Sequence, residues 1–484
     1  MLDTVTLDVV ILIQSFLPPL DILLVLRKTC RTLYNATRIR SVWLDAVRRT
    51  CCNNFVFLPS FPLPRMTLSE LEHLATSPER YRSVLVRGAT AEGCCLEPYA
   101  RRTLIPRRVD QPSNATRFVE LMIIPGGRFL FAMSSTAVYL WDLGFNANKM
   151  IQPRPLAVCD VDASPEGDSW CAGATPAGNK IEFLIGSFVD DGTKHTMYEV
   201  NPFTASPAIV EIGTHTWDFP DLRVGTICDG RVAFWSYAES IAGIWHLASD
   251  TTITWDVPQI QEMILVDDCA TCCCDNRIDV FNINKLLPSA SKPVSTHHDL
   301  KPVITHARNI DYVVRMFRWY TQDPHLMYFD TVDLNSSSKA FSRFHFQRPS
   351  PSDANVPNFV PVYIESIDLP PDVWNARRNR SSTNLKLLDN DVLFAWTAKD
   401  YEQLGVHMMQ SPLSAKAGHR TVATRLLSDG TEVVEVAEPR APDEEDEEED
   451  DVPDFDFCPA SGRLALLTDD LEITVLDYLM PPTC

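Results

Sequence analysis

At 484 residues the chain has room for two or three domains, or for one small module joined to a large one. Hydrophobic residues make up 45% and charged residues 22%, the balance of a folded protein and not of a disordered one. The formal charge is −21, with nine carboxylates in the run Asp443–Asp451; so acidic a chain is repelled by phosphate backbones and anionic bilayers, which excludes broad electrostatic binding to nucleic acid or membrane.

The most apolar stretch, Val5 to Leu26, is broken by Asp8, Gln14, Pro18, Pro19 and Asp21. It falls short of the ~20 clean apolar residues of a membrane span and carries neither the basic leader nor the cleavage site of a secretory signal. The 14 cysteines occur singly or side by side, as at Cys51-Cys52, Cys94-Cys95 and Cys272–Cys274, where neighbours do not readily meet disulfide geometry. Reduced thiols and a cytoplasmic or nuclear setting are expected, and the sequons at Asn35, Asn114, Asn335 and Asn379 then stay unmodified.

Residues 1–50 read as helical. Thr6 is a candidate N-cap with Asp8 in the first turn, and Val5, Val9, Ile13, Phe16 and Leu17 recur at a spacing that builds one apolar face. Pro18-Pro19 stops this helix. Asp21 starts a second, with Ile22, Leu26, Cys30 and Leu33 on one side and Arg27, Lys28 and Arg31 on the other; a third runs from about Thr37 to Arg49 around Val42, Trp43 and Val47. Three helices in ~45 residues bury too little surface to be comfortably stable alone, so a partner is expected to cover them.

In order and spacing, Val5-Thr6-Leu7-Asp8-Val9, Ile13, Ser15-Phe16-Leu17-Pro18-Pro19, Asp21-Ile22-Leu23, Leu26, Cys30-Arg31 and Trp43 resemble an F-box. Thr6 stands where that family has proline, a mild change because both start helices, and Gln14 stands where it has an apolar residue, which would weaken partner binding slightly. The resemblance implies docking to the Skp adaptor and, through it, to a cullin-RING scaffold. Carried over residue by residue, the adaptor contacts are Val5, Val9, Ile13, Phe16, Leu17, Pro18, Ile22 and Leu26, while Leu33 and Trp43 hold the helices together.

Residues 51–108 read as a linker in which the capping-box sequence Thr67-Leu68-Ser69-Glu70 starts a short helix. Its basic residues Arg101, Arg102, Arg107 and Arg108 read as internal electrostatic partners or solvated surface. From Val109 to Cys484 short alternating strands are separated by turn signals at Asp190-Asp191-Gly192, Asp229-Gly230, Asp275-Asn276, Asp429-Gly430 and Asp469-Asp470. The steps from 191 to 230 to 275, and from 430 to 469, are 39, 45 and 39 residues, the size of a four-stranded propeller blade. Leu140-Trp141-Asp142, Trp255-Asp256, Val280-Phe281-Asn282 and Val475-Leu476-Asp477 resemble degenerate WD-repeat blade endings. The expected fold is therefore mainly β, with a small N-terminal all-α module, a linker with a short helix, and a β-propeller of six to eight blades, seven favoured. A β-sandwich pair is the structural alternative. The Pro/Ser-rich stretch 348–361 and the acidic loop near 439–453 read as insertions.

No catalytic motif is found: Gly-x-Ser-x-Gly, the phosphate-cradling glycine loop and His-x-x-x-His pairs are absent. Cys269-x-x-Cys272 lacks the second pair of a zinc site, and strand alternation sends Cys272 and Cys274 to one face and Cys273 to the other, which favours buried packing over metal binding. Tryptophans downstream of Val109 read mostly as core or blade-closing side chains. No cofactor, no metal and no catalytic residue are expected, and the substrate-binding residues are not identifiable. The resemblance implies a substrate-recognition subunit of a Skp-cullin-F-box ubiquitin ligase, its propeller binding an unknown target protein. The alternative is a propeller scaffold with an F-box-like tip and no ligase role.

Overall fold

The structure is a computed structural model; it describes residues 5–90, 96–104, 118–148, 151–152, 154–161, 170–189, 192–218, 222–286, 295–314, 319, 327–333, 340–349, 356–368, 383–388, 391–397, 403–409, 421–428, 455–467 and 472–482. Thr6 has the extended backbone of an N-cap ahead of α1 (Leu7–Ser15), and Pro19 occupies the first position of α2 (Pro19–Leu24), where its missing N–H costs nothing. The second helix expected from the sequence is three pieces: α2, a 3-10 turn at Leu26–Lys28, and α3 (Arg31–Ala36). The interruption separates Arg27 from Lys28, which is exposed, and turns Arg27 inward. Its guanidinium donates to Glu72 at 2.5 and 3.1 Å and to Thr37, and sits 5.6 Å over the Trp43 ring. α4 (Arg40–Asn53) carries Trp43, fully buried, whose indole N–H donates to the Thr37 carbonyl at 2.7 Å.

The capping box forms as its sequence predicts: the Thr67 amide donates to Glu70 Oε2 at 2.7 Å and the Glu70 amide to Thr67 Oγ1 at 3.2 Å. The helix it starts is not short. α5 runs from Leu68 to Thr90 and passes through Pro78. Proline leaves the Leu74 carbonyl without its helical donor, and the Ser77 hydroxyl, 2.9 Å from that carbonyl and 2.7 Å from the Ala460 carbonyl, compensates while tying the helix to the sheets.

The rest is mainly β. In the first sheet β2 (Phe118–Ile123), β3 (Phe129–Ser134), β4 (Ala137–Asp142) and β5 (Ala157–Asp160) run antiparallel in chain order; β6 (Trp170–Ala174), β7 (Ile181–Val189), β8 (Gly192–Val200) and β9 (Ile209–Trp217) form the second. The third holds β10 (Leu222–Cys228), β11 (Arg231–Ser236), β12 (Ile241–His246) and β13 (Thr251–Asp256); the fourth β14 (Ile260–Val266), β15 (Cys269–Cys274), β16 (Arg277–Asn282) and β18 (Ile304–Ala307). β17 (Ser295–His297) lies between β16 and β18 in sequence but joins the third sheet. The fifth sheet is β19 (Tyr312–Val314), β20 (Tyr328–Asp333), β21 (Ala340–Gln347) and β22 (Val360–Asp368), and the sixth is β23 (Thr383–Leu388), β24 (Asp391–Thr397), β25 (Gln403–Met409) and β26 (Thr421–Ser428). The seventh, β27 (Phe455–Cys458), β28 (Arg463–Leu467) and β29 (Ile473–Asp477), takes its outer strand from β1 (Ala100–Leu104), which pairs antiparallel with β29 and lies in the stretch read as linker. Seven meander sheets among the described residues, with the last completed by a strand that precedes the first, make a propeller-type fold.

Polar groups seal the last sheet to the first. Asp456 accepts from the Ile123 amide at 2.7 Å; Arg463 donates to the Gly127 and Gly144 carbonyls while pairing with Asp477 of its own sheet; Arg102, also paired with Asp477 at 2.6 Å, donates to the Leu143 carbonyl at 2.8 Å. Of the four basic residues of the linker, Arg102 is thus an internal partner, Arg101 is exposed, and Arg107 and Arg108 lie outside the described residues.

Two of the turn signals fall wholly within the described residues, and both mark hairpins, though not equivalent ones. Asp229 and Gly230 (φ 53° and 70°) join the first and second strands of their sheet, whereas Asp275-Asn276 joins the second and third of the next, so the 39- and 45-residue steps mix two phases. Asp190-Asp191, Asp429-Gly430, Asp469-Asp470 and the acidic run lie outside the described residues. The endings at Asp142, Asn282 and Asp477 close third strands, while Trp255-Asp256 closes a fourth.

One hydrophobic cluster joins Ile22, Trp43, Val47, Leu71 and Leu74 of the helices to Leu121, Leu130, Trp141, Ala465 and Val475 of the first and last sheets. The helical module is therefore supported by its own sheets, a source of stability that the expectation of an external partner overlooked. The connection after α4 adds to this. Phe55, in the left-handed region (φ 51°), packs edge-on against Tyr328 of the fifth sheet; Val56 enters the cluster just described; Phe57 joins Phe129, Phe131 and Trp319. Gly126 admits the approach of Val56, and Gly462 that of Leu479 and Tyr81. Both have positive φ, and a Cβ would sit 3.0 Å from Val56 Cγ1 at the first and 2.8 Å from Leu479 Cγ at the second.

Candidate protein-docking surface

α1 is apolar on nearly every side, and its packing on α3 and α4 decides which side is hidden. Val10 and Gln14 face inward, one turn apart. Val10 meets Leu33 and Ala36 in a small cluster with Val5 and Leu26 at its margin. The opposite face carries Val9, Leu12, Ile13 and Phe16, spaced by three, one and three residues, so that they form a single stripe. They are 44%, 57%, 42% and 79% exposed; Leu7, Leu24 and Val25 of the same helical module are exposed too. Isolated exposed apolar residues are ordinary, but a contiguous group of this size on one short helix and the turn after it is the signature of an interaction surface.

The eight residues predicted for adaptor contact divide in the structure. Val9, Ile13, Phe16 and Pro18 are exposed; Val5, Leu17 and Leu26 are half-buried at the margins of the clusters beneath. Ile22 is a correction: it is fully buried in the main cluster, because the first turn of α2 drops against α5 and turns that side chain inward. Gln14 is a second correction. Its side chain lies beneath the stripe and not on it, fully buried, with Nε2 donating to the Val10 carbonyl at 3.3 Å and Oε1 left without a hydrogen-bond partner. Leu12 belongs to the surface and was missed. For Leu12 the signal was present, since it stands three residues after Val9 and four before Phe16.

The surface is held at a fixed place. Arg49 reaches from α4 to the carbonyls of Gln14 and Leu17, at 3.5 and 3.4 Å, setting a cation at the C-terminal end of α1 where the helix dipole favours it. Thr50 donates to the Ala75 carbonyl at 3.1 Å, and Arg40 donates to the carbonyls of Leu63 and Met66. Further along α5, Arg82 pairs with Asp391 of the sixth sheet at 2.8 Å. Beside Phe16 a cleft of about 270 Å³ opens between the α1–α2 turn and the α4–α5 pair, walled by Leu17, Pro18 and Pro19 on one side and Asn53, Pro78 and Glu79 on the other. The stripe and this cleft together present an apolar ridge with a mixed hollow at its end, a shape suited to helix-groove docking with another protein.

The chemistry weighed elsewhere in the sequence resolves into packing. Cys272 and Cys274 face the cluster shared by the third and fourth sheets, whereas Cys269 and Cys273 face the cluster shared by the fourth and fifth. Cys269 and Cys272 thus point to opposite sides of β15 and do not converge on one ion. Burial pushes the thiols of Cys269 and Cys274 up to about 12, and those of Cys272 and Cys273 well above their ordinary value, so none is a ready thiolate. Among the described residues no three His, Cys, Asp or Glu side chains are placed to share a metal, and no helix is long and apolar enough to cross a membrane. Trp141, Trp235, Trp245 and Trp255 are fully buried between sheets.

No protein-family model matches the sequence, and comparison with curated proteins returns no match. Comparison with solved structures returns matches of low identity. The WD40 domain of SCAP from fission yeast is similar at 8% identity, covering 77% of this chain and 84% of its own, with a TM-score of 0.38. Sqt1 of Chaetomium thermophilum, solved bound to the N-terminus of ribosomal protein L10, is similar at 8% identity, covering 76% and 85%, with a TM-score of 0.39. Hsv2p of Kluyveromyces lactis follows at 9% identity, covering 55% and 77%, with a TM-score of 0.32. The sheet topology of the chain itself carries the fold assignment.

Proposed function

We propose that this chain is the substrate-recognition subunit of a Skp-cullin-F-box ubiquitin ligase, with α1 and the following turn docking the Skp adaptor and the sheet array binding the target protein. The observation that supports the reading most is the exposed stripe Val9, Leu12, Ile13 and Phe16, a row of large apolar side chains left in water by a helix that is otherwise well packed. The F-box-like order of residues over the same helices supplies the identity of the occupant. The chain itself makes and breaks no bonds in this scheme. It raises the effective concentration of a target lysine near the conjugating enzyme that the cullin-RING scaffold carries. Tight packing of α4 and α5 onto the first and last sheets suits that task, because a target held on the sheets keeps a defined position relative to the adaptor. Such an assembly belongs in the cytosol or nucleus, where thiols stay reduced.

Full-length wild type, Ile13→Asp and Phe16→Asp are to be tested for co-precipitation of the Skp adaptor and cullin, with urea unfolding as the control for folding. The expected result is loss of both partners with unchanged unfolding midpoints, since each variant buries a charge at an apolar contact. Undiminished adaptor capture overturns the assignment. Adaptor bound without cullin points instead to the propeller scaffold with an F-box-like tip.

A further inference from the structure

β8 and β9 carry two histidines in register, His195 opposite His215. Directly paired residues of antiparallel strands project to the same face. That face is turned to the third sheet, because Met197 and Trp217, two residues further along each strand, pack with Val232, Phe234 and Trp245 in one cluster. The two rings meet different surroundings. His215 is half-buried, with Nδ1 3.0 Å from Asp250 Oδ1, which also accepts from the Trp245 indole N–H at 3.0 Å. Asp250 follows the 3-10 turn Leu247–Ser249 between β12 and β13, so this contact crosses the seam from the second sheet to the third. His195 lies one strand further in. It is 1% exposed, and neither of its ring nitrogens has a hydrogen-bond partner; the Trp217 indole N–H has none either. A neutral imidazole keeps one N–H and one lone pair, so enclosing it unpaired costs free energy, and enclosing it charged costs far more. Burial accordingly pushes its pKa down to about 3, and the His215 ring adds to the effect. On the same face Glu182 of β7 and Glu199 of β8 stand further along their strands, and the residues that β10, β11 and β12 give to the cluster are all apolar. Among the described residues, then, nothing compensates a charge on His195.

We propose that the seam between the second and third sheets is an acid-sensitive joint, which opens when His195 takes up a proton while the other seams stay closed. In the closed joint His195 is neutral. Once the joint opens, water reaches the ring and its ordinary affinity for a proton returns, near pH 6.5. Closure is therefore favoured in full above about pH 6.5 and weakens as pH falls toward about 3. Between pH 7 and pH 5 this one group is expected to raise the opening equilibrium about 25-fold. Opening uncovers Trp217 and Phe234, whose rings lie 4.0 Å apart, so the joint presents apolar surface in acid that it hides at neutral pH. The inference is independent of adaptor docking at α1.

A buried thiol reports the joint. Cys171 belongs to the same cluster, whereas Cys51 and Cys273 are buried in two others. The full chain is labelled with a pyridyl disulfide at pH 7 and pH 5, each cysteine is followed by peptide mass spectrometry, and rates are divided by that of a free cysteine peptide in the same buffer. At pH 5 wild-type Cys171 is expected to react at least about tenfold faster than Cys51 and Cys273, since the joint opens ahead of the rest. Equal rates at all three overturn the proposal, because the seam then opens only when the whole molecule unfolds. His73, His246 and His345 are also held low by burial, so the second comparison is with His195→Leu, which leaves them in place. The acid-induced gain in Cys171 labelling is expected to be about 25-fold smaller in this variant than in wild type. An equal gain in both overturns the proposal. Should His195→Leu not fold, His195→Gln takes its place with the same expectation, and the wild-type comparison stands without either.

Discussion

Replacing Phe16 with alanine separates docking from folding. The ring is 79% exposed at the C-terminal end of α1, so its removal deletes few internal contacts, and the expected change in unfolding free energy is within about 0.5 kcal/mol. Full burial of a phenylalanine side chain stabilises by about 1.5–3 kcal/mol relative to exposure. With four-fifths of the ring still in water, about 1.2–2.4 kcal/mol is available to a covering partner, equivalent to a loss of about 8- to 60-fold in affinity for the Skp adaptor on truncation. Isothermal titration of purified adaptor against full-length wild type and variant measures the loss, and urea unfolding supplies the control. Ile22→Ala is the contrasting substitution. Its side chain is fully buried in the main cluster, so it is expected to lower stability by about 2–5 kcal/mol while leaving the adaptor affinity of the folded fraction near that of wild type. If Phe16→Ala binds the adaptor as tightly as wild type, or unfolds as readily as Ile22→Ala, the assignment of the stripe as a docking surface is refuted.

Gln14→Leu is expected to raise stability by about 1 kcal/mol in urea unfolding with adaptor affinity unchanged, because it removes a buried carbonyl oxygen that has no donor without touching the stripe. A double-mutant cycle of Arg27→Met and Glu72→Gln is expected to give a coupling of about 1–2 kcal/mol, since the pair is mostly enclosed and carries the contact between the N-terminal turn and α5; additive single effects would show that the pair contributes nothing of its own. The Glu182 carboxyl is pushed up to about 7 by burial, with Glu199 and Asp229 adding to the effect. The native state therefore holds a proton that the unfolded chain has released, and this group lowers stability as pH rises from about 4.5 to about 7. Glu182→Gln is expected to be more stable than wild type by roughly 3 kcal/mol at pH 8 and equal to it near pH 4, checked by thermal unfolding across that range.

Local features of the chain were legible where a single residue type dictates backbone behaviour. Thr6 and Pro19 begin helices, Thr67 and Glu70 cap one, Asp229-Gly230 turns a hairpin, and alternating strands between such turns indicate the propeller class. The cysteine-rich strand was also legible, because the two-residue period of a strand separates Cys272 and Cys274 from Cys273 whatever surrounds them. What depends on distant contacts was not. A helix reading Leu-Asp-Val-Val-Ile-Leu-Ile is apolar almost all round, and only packing on α3 and α4 turns Val10 and Gln14 inward and leaves Leu12 in water. Ile22 is hidden because α5, beginning more than forty residues later, lies across it, and α5 continues past Pro78, where the Ser77 hydroxyl meets the carbonyl that proline leaves open. The departure of β17 to a neighbouring sheet has no local mark either, since three polar residues pair with whatever edge lies within reach.

By itself, then, the order of amino acids determined where several helices start, where tight turns separate strands, and that an apolar surface of some kind lies near the N-terminus. Those outcomes follow from φ and ψ preferences and side-chain periodicity, which act over a few residues. Which side chains form that surface, which sheet each strand joins, and how firmly the helices are fixed to the sheets were decided only by the tertiary structure, because burial is a property of surfaces meeting across hundreds of residues of chain and has no fixed period along it.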